Sequence, residues 1–189
     1  DEVSLPSITG NIFNPGRRYA VKLSARAVDG LRSNNLGNSR AVHVIGGALT
    51  QSSRWRSQNV AYYYVDSTLT VASSAGPTLT IEPNNVLKFH HAAGLSIGTD
   101  TEPGTLVADG SQGAIVLTRA GEGGYEDWRG VLFHQRANTA AIVFTRVTVS
   151  YAGRTAMAWP GTNTNWYSNI AIYRSSPSII NCTIVNSFK

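Results

Sequence analysis

One pattern constrains this chain more than any other: a short apolar segment that returns at nearly constant spacing. Val86-Leu-Lys-Phe-His90, Ile115-Val-Leu-Thr-Arg119, Ile142-Val-Phe-Thr-Arg146 and Ile170-Ala-Ile-Tyr-Arg174 begin 29, 27 and 28 residues apart. A second series, Thr78-Leu-Thr-Ile-Glu-Pro83 and Thr105-Leu-Val-Ala-Asp-Gly110, repeats at 27. Between the apolar runs lie Gly, Pro, Asn and Asp turn signals, so each repeat reads as two or three strands of about four residues. Strands this short bury little alone. Stacking equivalent strands in parallel, coil on coil, creates a continuous core, which is the logic of a β-solenoid. Four to five coils fit between Val60 and Lys189. The period is too long for a leucine-rich repeat and lacks the four antiparallel strands of a propeller blade. No sustained i, i+3, i+4, i+7 pattern occurs, so helix is expected to be rare.

Composition agrees with an all-β, turn-rich, exported protein. Of 189 residues, 42% are hydrophobic, enough for a packed core, and only 14% are charged, against roughly 25% in ordinary soluble proteins. The net charge of +5 is spread along the chain. Only Arg17-Arg18 and Arg54 to Arg56 approach a cluster, which argues against nucleic-acid binding. Cys182 is the only cysteine, so neither an intrachain disulfide nor a thiolate metal site can form. No apolar stretch reaches the 18 residues of a membrane span, and no insertion is expected.

The motifs Thr80-Ile-Glu-Pro83, Val86-Leu-Lys-Phe89, Gly94-Leu-Ser-Ile97, Gly104-Thr-Leu-Val-Ala-Asp-Gly110, Ala114-Ile-Val-Leu-Thr118 and Asp127-Trp-Arg-Gly-Val-Leu-Phe133 resemble the repeats of bacterial right-handed parallel β-helix (pectin-lyase-like) proteins. Val147-Thr-Val-Ser-Tyr-Ala-Gly153 and Ser176-Pro-Ser-Ile-Ile-Asn-Cys-Thr-Ile184 continue the likeness. The resemblance implies a right-handed parallel β-helix over residues 60–189. For function it implies a range, from polysaccharide lyases and hydrolases to adhesins, tailspikes and surface proteins.

Residues 1–46 read differently. Asn14-Pro-Gly-Arg-Arg-Tyr-Ala-Val21, Leu23, Ala25, Ala27-Val-Asp-Gly30 and Val42-His-Val44 resemble the second half of a fibronectin type III domain, a β-sandwich-like segment. The resemblance implies that Tyr19 sits at a strand corner, its hydroxyl bonded to nearby backbone. Residues 47–59 are expected to be a linker. Both ends of the chain read as cut, so a fragment, or a protomer completed by another chain, is expected.

Candidate sites are few. Glu82 and Asp109 lie one period apart, but the Pro83 and Gly110 that follow them favour turn roles over a cation site. Glu122, Glu126 and Asp127 form the one local carboxylate cluster, in a loop read as solvated, and give no convincing acid/base pair. His90, His91 and His134 lack metal spacing and read as surface histidines. Trp128 to Phe133 reads as core, with Gly130 admitting a close backbone approach. Tyr62 to Tyr64 read as a cap or junction beside Trp55, and Asn181-Cys-Thr183 as structural rather than glycosylated. Trp159, Trp166 and Tyr167, on an insertion, are the candidate ligand or interface residues. Ile179, Ile184, Val185 and Phe188 crowd the last coil and are the candidate end-to-end interface.

The chain is therefore expected to be a non-catalytic extracellular structural or adhesive module, on the cell surface or beyond it, assembling end to end into a filament or larger assembly. No catalytic residue, metal or cofactor is assigned. The expected partners are further copies, the remainder of a longer chain, or glycans. A carbohydrate-active β-helix, whether lyase, hydrolase or glycan-binding domain, is the alternative.

Overall fold

The computed structural model describes residues 5–13, 18–36, 41–121, 127–153, 157–158 and 165–188. Strand makes up 47% of it. The helical content among these residues is two short 3-10 turns, Ala27–Gly30 and Gly110–Gln112.

In chain order the strands are β1 (Ile8–Thr9), β2 (Tyr19–Ser24), β3 (Leu31–Arg32), β4 (Ala41–Ile45), β5 (Gly47–Leu49), β6 (Ser53–Trp55) and β7 (Tyr62–Val65). They continue as β8 (Leu69–Val71), β9 (Thr78–Ile81), β10 (Asn85–Phe89), β11 (Leu95–Ile97), β12 (Thr105–Asp109), β13 (Ile115–Arg119) and β14 (Val131–Phe133). The last are β15 (Val143–Thr145), β16 (Val147–Ser150), β17 (Met157–Ala158), β18 (Asn165–Trp166), β19 (Ile170–Ile172), β20 (Ile179–Ile180) and β21 (Thr183–Val185).

Three parallel sheets collect most of them. The long sheet runs β2-β4-β7-β10-β13-β16-β21, the second β5-β8-β11-β14-β19 and the third β6-β9-β12-β15-β20. From β4 onward the chain visits long, second and third sheets in that order and then begins again. This is the architecture of a β-helix-like solenoid. β1 and β3 form a small parallel pair, and β17 and β18 an antiparallel one.

The core consists of inward rows, one side chain per coil. In the long sheet, Val42, Tyr63, Leu87, Leu117 and Val149 follow one another in register and all are inaccessible to solvent. In the second sheet the row is Leu49, Val71, Ile97 and Phe133. In the third it is Trp55, Ile81, Ala108 and Phe144. Alternation does this: each strand sends every second residue inward. Polar side chains bond coil to coil where the backbone turns. Asn85 Nδ2 donates to the Trp55 and Glu82 carbonyls, while Asn169 accepts from the Ala152 amide and donates to the Val185 carbonyl. Gly130, at φ +98°, sits where an added Cβ would meet the Ser168 and Asn169 carbonyl oxygens at 2.6 Å.

The structure corrects the expected register. Thr78 and Thr105 are partners, as their spacing of 27 requires. Of the four similar segments, however, only the first two share a sheet, and they pair with Asn85 opposite Ile115, an offset of 30. Ile142 precedes β15 of the third sheet and Ile170 begins β19 of the second. The coils are unequal. In the long sheet the offset is 21 from Val42 to Tyr63 but 35 from Val149 to Ile184. Similar inward-outward-inward strands occur in all three sheets, so likeness between segments did not report equivalence.

The N-terminal expectation is also corrected. β2 pairs in parallel with β4 and β4 in parallel with β7, extending the long sheet instead of forming an antiparallel sandwich. Residues 47–59 carry β5 and β6, which pair in register with β8 and β9. Ser53 Oγ and Trp55 Nε1 both donate to the Ala25 carbonyl, tying the early segment to the stack. A half-buried strand alternates in the same way whichever direction its neighbour runs.

Candidate functional site: an aromatic cleft on the outer face of the long sheet

The outward rows of the long sheet are neither plain nor uniformly charged. His43 and Tyr64 are register partners on β4 and β7, flanked in the same row by Lys22 on β2 and Lys88 on β10. Tyr19 leans over them, its ring centroid 4.7 Å from His43 and 5.2 Å from Tyr64. His43 meets Tyr64 edge-on at 5.1 Å, and His90 reaches Tyr64 at 6.2 Å. These four rings, with Ile45, Asp66 and Ser67, line an open cavity of 430 Å³. A contiguous one of 200 Å³ shares Tyr19, Tyr64 and His90 and adds Arg18 and Tyr62.

Polar geometry in the cleft centres on Asp66. His43 Nε2 donates to its Oδ2 at 2.8 Å, while the Gly46 amide and Ser67 Oγ donate to Oδ1 at 3.2 and 3.0 Å. Burial pushes this carboxyl up, but the three hydrogen bonds outweigh it and hold the group below its ordinary range. Asp66 is a carboxylate at neutral pH. Burial, reinforced by Tyr19 and Asp66, pushes the Tyr64 phenol up to about 12.

The arrangement suits binding better than bond cleavage. A nucleophile needs a base within reach and an orienting group behind that base. Here Ser67 donates directly to Asp66, so the His43 imidazole does not stand between hydroxyl and carboxylate. Glycoside cleavage with two carboxylates would require a second one facing the first. Asp66 is the only carboxylate among the described lining residues.

The other sequence candidates are scattered. Trp159 lies outside the described residues, as do Glu122, Glu126 and Lys189. The backbone of Trp166 pairs opposite Met157, and Tyr167 beside it is 54% exposed. Glu82 accepts from Arg54 at 2.6 Å, and Asp109 caps a 3-10 turn through the Ser111 amide. Asp127 is buried against Arg119 at 2.8 Å rather than solvated. His134 is likewise buried, with Nδ1 3.8 Å from Asp100 Oδ1, which corrects the surface reading. Burial lowers its pKa, against the opposing pull of Asp100. No group of three or more His, Cys, Asp or Glu able to hold a metal occurs among the described residues. Among them, too, no helix is long and apolar enough to cross a membrane.

At the far edge, Ile184 and Val185 on β21, Ile180 on β20 and Ile172 on β19 are all at least 40% exposed, as is Phe188. Ile179 is half-buried against the core.

Sequence reading missed the cleft. Tyr62 to Tyr64 looked like a cap, yet they alternate within a sheet: Tyr63 points inward onto Trp55, while Tyr64 faces the cleft. Tyr19 lies on the outer face rather than at a sandwich corner. The available signal was the offset of 21 between His43 and Tyr64, a coil shorter than the 27 to 29 sought.

No family model, curated protein or solved structure matches the chain.

Proposed function

We propose that the chain is a right-handed parallel β-helix module of an extracellular protein that works by contact, as an adhesive and structural surface. The sheet order and parallel pairing support the fold, and right-handed crossovers are the rule for parallel strands. The carrying observation for function is the open cluster of Tyr19, His43, Tyr64 and His90, contributed by or adjoining four neighbouring strands. Aromatic rings combined with fixed hydrogen-bonding groups are what recognition surfaces use. The test offers the protein to a panel of immobilised polysaccharides and extracellular proteins and measures both retention and product release. The expected result is retention without turnover, lost in a Tyr19→Ser/Tyr64→Ser variant. Turnover abolished by His43→Ala would favour the carbohydrate-active alternative, and retention on nothing would remove the adhesive reading.

A second contact is favoured by the exposed edge of β19, β20 and β21. Each inward row there ends on an apolar residue that the next coil would cover, and open strand edges template pairing. Another copy supplying a parallel coil, or the remainder of a longer chain, would cover Ile179, Ile184, Val185 and Phe188. Sedimentation should then show concentration-dependent association, weakened by Ile184→Lys. A species that remains monomeric at high concentration would contradict it.

A further inference from the structure

The geometry points to an uncharged pyranose, within a short neutral oligosaccharide, as the ligand of the Tyr19/His43/Tyr64/Asp66 cleft. This assignment rests on the contact reading above and gives it a chemistry.

Three alternatives fail on distances and charge. A quaternary ammonium requires a cage, with rings standing apart around the cation. Here Tyr19, His43 and Tyr64 are packed at 4.7 to 5.2 Å between centroids, so they form a ledge with no interior. A metal ion would need several ligands, yet Asp66 is the only carboxylate among the described lining residues, and His43, Gly46 and Ser67 leave it about one free lone pair, enough for a single hydroxyl. A single nucleic-acid strand or an acidic glycan would bring an anion against Asp66, whose carboxyl stays ionised. Among the described residues no Lys or Arg lines the larger cavity: Lys22 lies 3.9 Å from Asp66, Lys88 sits over the Tyr62 ring at 4.5 Å, and Arg18 lines the adjoining cavity alone.

A neutral sugar ring satisfies what remains. Its apolar C–H face can rest on the tyrosine ledge and on Ile45, which is 42% exposed. Its hydroxyls meet acceptors and donors that line the cleft: the Asp66 carboxylate, Ser67 Oγ, the tyrosine hydroxyls and the His90 ring. Asp66 is fixed by three hydrogen bonds before a ligand arrives, so binding loses little entropy in ordering it. The cavity of 430 Å³ falls within the range of about 300–1,000 Å³ typical of small-molecule sites. The adjoining 200 Å³ cavity, reached past Tyr19 and Tyr64, extends the groove for a second sugar unit.

The test is a calorimetric and NMR titration of the folded chain with three probes: a neutral glucan hexasaccharide, a uronic-acid hexasaccharide and a single-stranded DNA decamer. The neutral probe should bind and shift the aromatic signals of Tyr19, His43, Tyr64 and His90. Tyr64→Ala should weaken it at least roughly tenfold, Tyr64→Phe should keep most of the affinity, and Ile172→Ala, at an exposed position of the second sheet, should leave it unchanged. If Tyr64→Ala melts early, the Phe variant and the wild-type shifts decide. Tighter binding of the uronate or the DNA at the same rings would overturn the assignment of an uncharged sugar and leave the contact reading standing. Neutral-probe shifts that spare these four rings, or no binding by any probe, would overturn it outright.

Discussion

Val149 and Ile184 lie opposite each other in register on β16 and β21, yet Val149 is inaccessible to solvent while Ile184 is 48% exposed. The difference is whether a further coil covers the side chain. Val149→Lys should therefore prevent folding, because it places an ammonium inside the stack. Ile184→Lys should change stability by less than about 0.5 kcal/mol, as surface substitutions do. Urea unfolding of the two variants, at a dilution where the chain is monomeric, checks the contrast; equal losses would show that Ile184 is covered within the chain.

Phe89 and Trp128 stack at 4.2 Å with their planes 10° apart, and Trp128 Nε1 donates to the Ser150 carbonyl at 2.9 Å. One ring pair thus links successive coils. A double-mutant cycle between Phe89→Leu and Trp128→Phe should return a coupling of about 0.5–1.5 kcal/mol. A coupling near zero would mean that the rings do not meet.

Much of the core was legible in the sequence. Ile142, Phe144, Trp128 and Val131 alternate or sit in apolar runs that can face only inward, and all are buried. Gly130 was readable for the same reason, since an apolar strand start that must pass another backbone closely favours glycine. What sequence did not supply was equivalence between coils. Strands of three to five residues carry too little information to distinguish three sheets, so the segments beginning at Ile115, Ile142 and Ile170 look alike while supplying strands to different ones. The cleft was hidden by the same ambiguity: Tyr19, His43 and Tyr64 meet only once offsets of about 21 are allowed.

Gly130 gives a direct backbone test. At φ +98°, with carbonyl oxygens 2.6 Å from any added Cβ, Gly130→Ala combines strain with a clash. A loss of at least about 2 kcal/mol is expected from denaturant melts. A neutral substitution would mean that β14 and the Ser168–Asn169 turn lie farther apart.

His134 sets a pH dependence. Its folded pKa lies below the ordinary 6.5, because burial disfavours the imidazolium more than Asp100 supports it. The unfolded chain therefore binds the proton more readily. The stabilising contribution is fully present above the unfolded value and is lost as pH falls below it toward the folded value. Thermal melts should show wild type losing stability from pH 7 to pH 5 more steeply than His134→Gln. Parallel slopes would contradict the assignment.

The central claim is that the outer face of the long sheet makes contact and performs no chemistry. The most direct measurement is an aromatic proton–carbon NMR titration of the chain with soluble polysaccharide, followed in the same tube for product. Shifts concentrated on Tyr19, His43, Tyr64 and His90, with no new saccharide signals over days, are expected. Product signals appearing as the His43 resonance shifts, or perturbation that spares these four rings while they remain folded, would contradict the claim.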